Sequence, residues 1–325
     1  MNKAVLLISF NRLDYVSKVF EQIKIAKPPR LYLASDGPRP TVESDKKEIE
    51  EVRSWILNNI DWDCEVKTRF LEVNSGGCAY GVSSAVTWFF ENEEDGIILE
   101  DDCVPSQSFF RYCEELLDKY KNEKKVWHIT GYGYYRNEKA KETYYFSKIQ
   151  HCWGWACWAD RWKYFDLDLK DYNSDIVKLL SNRSEVQDVL RNIFNCLRNA
   201  GHKDSWAWIW TFIIGAHKGY CINPYKNLVS NIGIEGGEHY NGEADHTNSL
   251  NTGTHEINKI IHPYFIKYNW RAINYIYDNH YNISRVPNIK KKSKIFSAKN
   301  ENQHKVITIL GVKIKFKMTS GISKT

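Results

Sequence analysis

The most informative stretch of this chain is Ile97-Ile98-Leu99-Glu100-Asp101-Asp102-Cys103-Val104-Pro105-Ser106. An apolar strand runs directly into three carboxylates, and a proline then opens an amphipathic helix. Adjacent carboxylates repel one another unless a cation lies beside them. Magnesium and manganese prefer hard oxygen ligands, typically one or two carboxylates beside substrate phosphates. We therefore predict a metal–diphosphate site at Glu100, Asp101 and Asp102; the alternative is a solvated acidic loop.

Strands and helices alternate from the N-terminus to about Thr130. In the first helix, Asp14 is the expected cap and the apolar residues from Val16 to Ile23 share one face. Strands separated by helices of this length indicate βαβ units, so we predict an α/β fold with a Rossmann-like, mostly parallel sheet flanked by helices. The predicted strands are 3–9, 30–34, 68–72, 96–99 and 126–130, and the later helices are 42–59, 81–91, 105–120 and 184–200.

Polar clusters follow four of these strands. They are Asn11-Arg12, Ser35-Asp36-Gly37, Asn74-Ser75-Gly76-Gly77 and the acidic triplet. Open parallel sheets bind ligands beyond the carboxyl ends of their strands. We therefore expect the four clusters to surround one ligand site.

Aromatic residues are unusually frequent, at 14% of the chain with 12 Trp and 20 Tyr. Four tryptophans lie between Trp153 and Trp162, and we expect at least two of them to pack in the core. Trp155, between glycine and alanine, is the candidate to stack on a donor or acceptor sugar. The eight cysteines show no Cys-x-x-Cys pair or zinc spacing, so we expect reduced thiols.

Taken in order, these motifs resemble those of GT-A fold glycosyltransferases, in particular bacterial sugar transferases distantly related to the N-acetylglucosaminyltransferase I family. The resemblance extends from residue 1 to about residue 250. It rests on motifs whose order along the chain matches the family: Phe10-Asn11-Arg12, Ser35-Asp36-Gly37, Asn74 with its glycines, Leu99-Glu100-Asp101-Asp102 with Pro105 and Phe109-Phe110, Gly154-Trp155, Asp204-Ser205-Trp206 and Gly237-Glu238-His239.

The resemblance implies a nucleotide-diphospho-sugar transferase fold and a role for each matched motif. Asp102 would bind the divalent metal, Mn²⁺ or Mg²⁺, that bridges the diphosphate of the sugar nucleotide. Glu100 and Asp101 would contact the ribose or sugar. Phe10, Asn11, Arg12 and Asp36 would hold the nucleobase. Gly76 and Gly77, after Asn74, do not form a phosphate loop, and we interpret them as a turn that lets the backbone approach the donor.

Two residues of the second half are candidates for the chemistry. Asp204 precedes an apolar, aromatic helix, where desolvation would raise its basicity, and it is the candidate base for an inverting reaction; its alternative role is a helix N-cap. The family has Asp-Asp-Trp where this chain has Asp204-Ser205-Trp206. His239 is the candidate to contact the diphosphate or complete the metal shell, and the alternative is an ordinary loop histidine.

The charge of +5 is unevenly distributed. The stretch 285–317 contains nine Lys, one Arg and one Glu, and Lys324 adds a further charge, so the chain before Arg285 carries a net charge of −5. This distribution argues against a nucleic-acid partner for the body of the protein. The basic tail is expected either to touch an anionic membrane surface or to be a solvated extension, and the stretch 305–317 predicts a hairpin turning near Gly311.

We therefore predict a catalytic domain over residues 1–265, with a nucleotide-sugar half (1–130) and an acceptor half (131–265), followed by a basic extension over 266–325. The expected activity is a hexosyl- or N-acetylhexosaminyltransfer, in surface polysaccharide synthesis, from a nucleoside-diphosphate sugar to a glycan or lipid-linked glycan. With no signal peptide or membrane span in the sequence, we expect a cytoplasmic protein, peripheral at most on the membrane. Two alternatives are a sugar-1-phosphate nucleotidyltransferase, which should carry a Gly-rich basic loop in place of Phe10-Asn11-Arg12-Leu13, and a non-catalytic glycan-binding protein, which would not need the acidic triplet.

Overall fold

The computed structural model describes residues 1–137, 139–199, 205–233 and 253–283, together with the backbone of three strands between 296 and 317. In the main body, the strands are β1 Ala4–Ser9, β2 Arg30–Ser35, β3 Glu65–Phe70, β4 Asp95–Glu100, β5 Cys103–Pro105, β6 Val126–Thr130, β7 Tyr144–Ser147, β8 Trp155–Trp158, β9 Tyr220–Pro224 and β10 Val229–Asn231. The helices are α1 Leu13–Ala26, α2 Asp45–Asn58, α3 Cys78–Phe90, α4 Gln107–Tyr120, α5 Ala159–Trp162, α6 Val177–Leu180, α7 Ser184–Asn199, α8 Trp206–Ala216 and α9 Trp270–Tyr275.

Eight of these strands form one sheet in the order β3-β2-β1-β4-β8-β6-β9-β7. Strands β3, β2, β1 and β4 are parallel, β6 and β9 are parallel to each other, and β8 lies antiparallel between β4 and β6. The predicted α/β fold with a mostly parallel sheet flanked by helices is confirmed. The register pairs Ser9 with Ser35 and Ile8 with Glu100, so the carboxyl ends of β2, β1 and β4 lie side by side.

The two central strands are apolar because helices cover both faces of the sheet. In β1 and β4, every residue is buried except Ile8 and Glu100, which are partly exposed. This uninterrupted apolar character is typical of parallel strands. The predicted apolar face of α1, from Val16 to Ile23, is buried as expected, but the helix begins at Leu13, so Asp14 lies in the first turn and does not cap it.

The predicted bounds of three elements differ from the observed ones, because the local sequence pattern there is weak. Strand β3 covers residues 65–70 and not 68–72; it lies at the edge of the sheet, and partial exposure along its whole length blurs the alternation that a prediction needs. Helix α3 begins at Cys78, directly after Gly76 and Gly77, whose positive φ values of 95° and 136° suit glycine. Helix α4 begins at Gln107, because residues 103–105 form β5 and pair antiparallel with β10.

Aromatic and aliphatic side chains of the second half pack on the other end of the sheet. Helix α8 is buried almost all round, and Trp158, Trp162 and Trp210 are core residues. The eight cysteines are free thiols, four of them buried. Within the part of the chain that the structure describes, no helix has both the length and the apolar character needed to cross a bilayer.

Part of the predicted extension packs on the body. The N–H of Asn269 donates to the Phe146 carbonyl at 2.8 Å, and Arg183 bridges Asp278 at 2.7 Å and the Ile283 carbonyl at 2.9 Å. Further along, β11 Phe296–Glu301, β12 His304–Ile309 and β13 Val312–Lys317 form an antiparallel sheet of three strands. The predicted hairpin is therefore present as β12 and β13, although Gly311 lies outside the described residues; the domain boundary at 265 stays a prediction.

His128 is buried in this core, and both nitrogens of its ring are hydrogen-bonded. Trp210 Nε1–H donates to His128 Nδ1 at 3.3 Å, so the Nε2–H of the neutral ring donates to the His151 carbonyl at 3.1 Å. Burial lowers the pKa of His128 to about 3. A histidine with a lowered pKa costs stability as pH falls below its unfolded value of about 6.5. Between pH 7 and pH 5 we expect His128 to account for a loss of about 2 kcal/mol.

The measurement is urea unfolding of the wild type and of His128→Gln at both pH values. Glutamine can donate and accept in a similar way but does not titrate in this range. We expect the free energy of unfolding of the variant to fall less between pH 7 and pH 5 than that of the wild type. An equal fall in both proteins would show that His128 is not the residue titrating.

Candidate active site at the carboxyl edge of the sheet

Asp101 and Asp102 lie directly beyond the end of β4, where both carboxylates contact Arg12 from the turn after β1. The Arg12 guanidinium hydrogen-bonds Asp101 Oδ1 and lies 3.0 Å from Asp102 Oδ2. The backbone N–H of Phe10 donates to Asp101 Oδ2 at 3.3 Å. The structure therefore brings the Phe10–Arg12 turn and the acidic triplet together.

The triplet holds more negative charge than Arg12 neutralises. Among the described residues, Arg12 is the cation that pairs with the triplet, and its ion pairs are with Asp101 and Asp102. Burial and repulsion from Asp102 and Asp101 raise the pKa of Glu100 to about 8, and burial and repulsion from Asp102 raise the pKa of Asp101 to about 6. Burial disfavours the charged form of Arg12, but attraction to both aspartates outweighs it and raises the pKa of Arg12. Such a site favours a further cation.

Asp102 is held from the other side by β10, which the sequence did not predict. Asn231 Nδ2 donates to Asp102 Oδ1 at 3.1 Å, and the N–H of Ile232 donates to the Asp102 carbonyl at 2.9 Å. Gly233 lies against the same carboxylate: a Cβ added there would be 2.8 Å from both Cβ and Cγ of Asp102. The Asp102 side chain is 19% exposed, compared with 8% for Asp101, so Asp102 is the more accessible of the two.

The close approach of Gly233 predicts a specific steric cost. We expect Gly233→Ala to destabilise the protein by about 1–3 kcal/mol, because the new methyl group forces Asp102 and its bonds to Arg12 and Asn231 to shift. Urea unfolding measures this loss. In an Asp102→Gly background the same substitution should cost less, since the atoms it meets are gone; an equal cost in both backgrounds would contradict the contact.

Asp36 joins the ends of β2 and β3. Its Oδ1 accepts the N–H groups of Gly37 and Ser75 at 2.8 and 2.9 Å, and its Oδ2 accepts the Ser75 hydroxyl at 2.6 Å and the Asn74 amide at 3.4 Å. Asn74 also donates to the Gly37 carbonyl at 2.9 Å. The two predicted residues, Asp36 and Asn74, are thus neighbours in one network that shapes this part of the edge.

Asn11 faces acidic side chains at the start of α2. Its amide donates to Asp45 Oδ1 at 3.1 Å and to Glu48 Oε2 at 2.9 Å. Asp45 is fully buried and forms two 2.7 Å hydrogen bonds with Arg39, whose guanidinium lies 5.2 Å from the centre of the Phe10 ring. This second arginine–carboxylate pair supports the turn that carries Arg12.

Arg53 was not identified from the sequence, although it is central to the edge. Its guanidinium donates to the carbonyls of Ser35, Asp36 and Leu71 at 3.3, 3.1 and 2.8 Å, and to the Ser35 hydroxyl at 3.1 Å. It also lies 4.9 Å from the centre of the Phe70 ring. Arg53 therefore fixes the loops after β2 and β3. In the sequence it is one more basic residue on a predicted helix, with no motif around it.

Three further candidates remain, Trp155, Asp204 and His239. Trp155 is a correction: it is 0% exposed and its ring stacks on His128 at 5.0 Å, so it is a core residue and has no exposed face for a sugar. Asp204 and His239 lie outside the described residues. Ser205 takes the N-cap position of α8 and its side chain accepts the N–H of Trp208 at 3.4 Å, so the N-cap role considered for Asp204 belongs to Ser205.

The residues at this edge suit a metal held jointly with a ligand better than a metal held by protein alone. Over the described parts of the chain, no group of three or more His, Cys, Asp or Glu side chains converges as a metal site. Asp102 offers an accessible carboxylate in a site with excess negative charge, and oxygen is the ligand type that Mg²⁺ and Mn²⁺ prefer. A metal bound through Asp102 would need phosphate oxygens and water to complete its shell.

No protein-family model matches the sequence, and no curated protein matches it either. Mouse xyloside xylosyltransferase 1 is 11% identical, with a TM-score of 0.32 over 66% of this chain and 82% of its own. A UDP-glucose pyrophosphorylase complexed with UDP-glucose is 11% identical, with a TM-score of 0.28 over 67% of this chain and 98% of its own.

A third solved structure, 4-diphosphocytidyl-2C-methyl-D-erythritol synthase from Anaerococcus prevotii, is 11% identical, with a TM-score of 0.29 over 49% of this chain and 72% of its own. The similar structures thus include a glycosyltransferase and a pyrophosphorylase. At this level of identity and TM-score, these likenesses carry no argument about the activity of this chain. Its relationship to the N-acetylglucosaminyltransferase I family stays a prediction.

Proposed function

We propose that this protein is a metal-dependent, inverting glycosyltransferase that moves a sugar from a nucleoside-diphosphate sugar to a hydroxyl of a glycan or lipid-linked glycan. The observation that carries the proposal is the acidic triplet at the end of β4, where Arg12 pairs with Asp101 and Asp102 while Glu100 adds a third carboxylate beside them. A diphosphate is itself anionic, so it can bind beside these carboxylates only with a further cation. A divalent metal meets that need, since it neutralises the charge that accumulates on a leaving diphosphate.

In this proposal, different residues of the edge bind different parts of the donor. Asp102 would hold Mn²⁺ or Mg²⁺, and Arg12 keeps Asp102 and Asp101 in place through its two ion pairs. The loops shaped by Asp36 and Arg53 lie at the ends of β2 and β3, which suits them to the nucleoside. Arg39, whose guanidinium lies over the Phe10 ring, supports this part of the edge through its ion pair with Asp45.

The transfer itself requires a base. In our proposal, Asp204 takes the proton of the acceptor hydroxyl as the hydroxyl oxygen attacks the anomeric carbon. The bond from that carbon to the diphosphate oxygen breaks on the opposite face, and the nucleoside diphosphate leaves. Asp204 is proposed from its sequence position before α8, and His239, after Gly233, is proposed as a second contact to the diphosphate or metal.

The experiment that tests the proposal is donor hydrolysis without an acceptor. UDP-, GDP-, dTDP- and CMP-sugars are incubated with the purified protein, with Mn²⁺ and with EDTA, and released nucleotide is measured. We expect Mn²⁺-dependent release from one donor. A parallel assay with nucleoside triphosphates and sugar 1-phosphates measures pyrophosphate; its release, without donor hydrolysis, would replace this proposal with a nucleotidyltransferase.

A further inference from the structure

A segment rich in exposed aromatic residues leads into α9; we call residues 261–270 the aromatic turn. Tyr264 and Phe265 are 91% and 62% exposed, with ring centres 4.6 Å apart, and Ile261 and Trp270 are 45% and 42% exposed. Soluble proteins rarely expose large apolar side chains in one contiguous group without a partner. None of the functions proposed above uses this surface.

The exposed side chains lie in a segment whose two ends are hydrogen-bonded to the body of the protein. At one end, the N–H of Thr143 donates to the Ile261 carbonyl at 2.8 Å, and the Ile261 N–H donates to the Thr143 hydroxyl at 2.8 Å. At the other end, the Tyr268 hydroxyl donates to the Lys218 carbonyl at 3.0 Å and the Asn269 N–H donates to the Phe146 carbonyl. Tyr264 and Phe265 are therefore presented by a turn that is anchored on both sides.

The Lys, Arg, Asp and Glu residues of the segment that carries the turn have one sign. The stretch 257–277 contains Lys259, Lys267 and Arg271, all exposed, and no Asp or Glu. Lys267 lies 5.7 Å from the centre of the Phe265 ring. An acidic group from a neighbouring element, Glu115 of α4, pairs with His262 at 3.0 Å. The strongly basic stretch 285–317 follows shortly after in the chain, so the positive charge continues.

Exposed aromatic rings among lysines and arginines suit one kind of partner particularly well. Tyr, Trp and Phe side chains are favourable in the headgroup region of a bilayer, and basic residues beside them are attracted to anionic lipids. Stable attachment to a membrane surface usually needs both contributions. We propose that the aromatic turn docks this protein on anionic lipid bilayers, with Tyr264 and Phe265 inserted among the headgroups and the nearby basic residues facing lipid phosphates.

The test is flotation of the full-length protein with vesicles of phosphatidylcholine alone and with vesicles that mix phosphatidylcholine and the anionic lipid phosphatidylglycerol. We expect binding to the anionic vesicles, and a loss of at least about tenfold in the double variant Tyr264→Ser/Phe265→Ser, because two exposed rings no longer leave water. A matched control, Ile25→Ser/Leu57→Ser, removes two exposed apolar side chains from α1 and α2 and should bind like the wild type.

A second double variant tests the contribution of the basic residues. Lys267→Gln/Arg271→Gln should weaken binding to anionic vesicles and should make the remaining binding less sensitive to salt.

Absence of vesicle binding, or binding that the aromatic double variant retains in full, would overturn the proposal. So would light scattering that shows a dimer which the double variant dissociates, because the turn would then be an interface between two copies. Donor hydrolysis should be unchanged in the aromatic double variant, so this test is independent of the catalytic proposal.

Discussion

Asp102→Asn is expected to lower Mn²⁺-dependent release of nucleotide from the donor by about 10³-fold, within the range found when a principal electrostatic contact of a transition state is removed. The asparagine occupies nearly the same volume and can keep a hydrogen bond to Asn231, but it lacks the charge that would hold a divalent cation. Initial rates at saturating donor and metal measure the effect.

The same variant should not be less stable than the wild type. Asp102 is one of two carboxylates that pair with Arg12, and repulsion from it contributes to the raised pKa values of Glu100 and Asp101. Removing one of these charges relieves repulsion, so we expect an unchanged or slightly higher free energy of unfolding. This separates a lost function from a lost fold.

Asp95→Asn is the matched control, since Asp95 lies at the opposite end of β4 and pairs with Lys3 at 3.0 Å. This variant loses an ion pair away from the carboxyl edge and should retain most of the activity, with a small loss of stability. If both variants lost activity equally, or Asp102→Asn remained active, the role of the triplet in binding metal and diphosphate would be wrong.

Arg12→Met is expected to destabilise the protein by about 2–4 kcal/mol. The guanidinium side chain is 28% exposed and binds both aspartates, so its removal leaves two carboxylates without their cation while preserving much of the side-chain packing. Because Arg12 is partly exposed to solvent, the expected loss of stability lies towards the lower end of the range for a buried ion pair. Urea or thermal unfolding measures it.

A double-mutant cycle shows whether this loss comes from charge. In Arg12→Met/Asp101→Asn, one of the unpaired carboxylates is also removed, so the double variant should be more stable than Arg12→Met alone. Arg12→Lys keeps the charge but cannot form the same two-pronged contact, and should give an intermediate stability. Strictly additive effects of the two substitutions would show that the ion pair contributes nothing.

With the exception of β5, the sequence predicts the order and type of the elements from β1 to β6, for a physical reason. The buried parallel strands β1 and β4 contain apolar runs, and α1 shows its buried face at helical spacing. The edge strand β3 lacks this pattern, and its predicted bounds differ from the observed ones by several residues. Strand β5 was missed because its short segment is a strand only through pairing with β10, which lies far along the chain.

The sequence predicts where the candidate site lies on the sheet more readily than it predicts the contacts within it. Parallel topology alone places the ends of β1, β2 and β4 together, and the polar clusters were identified from that rule. That Arg12 binds the acidic triplet depends on the register of β1 and β4. Trp155 was misplaced because sequence does not show which side of β8 is covered by α8; Trp206 from that helix packs 5.3 Å away.

The most direct measurement of the central claim is calorimetric titration of the wild type and Asp102→Asn with UDP, GDP, dTDP and CMP, each with Mn²⁺ and with EDTA. We predict that one nucleotide binds the wild type at least about tenfold more tightly with Mn²⁺, and that this gain is absent in Asp102→Asn. No binding to the wild type, or binding that Mn²⁺ does not strengthen, would contradict the account that the carboxylates after β4 form a metal–diphosphate site.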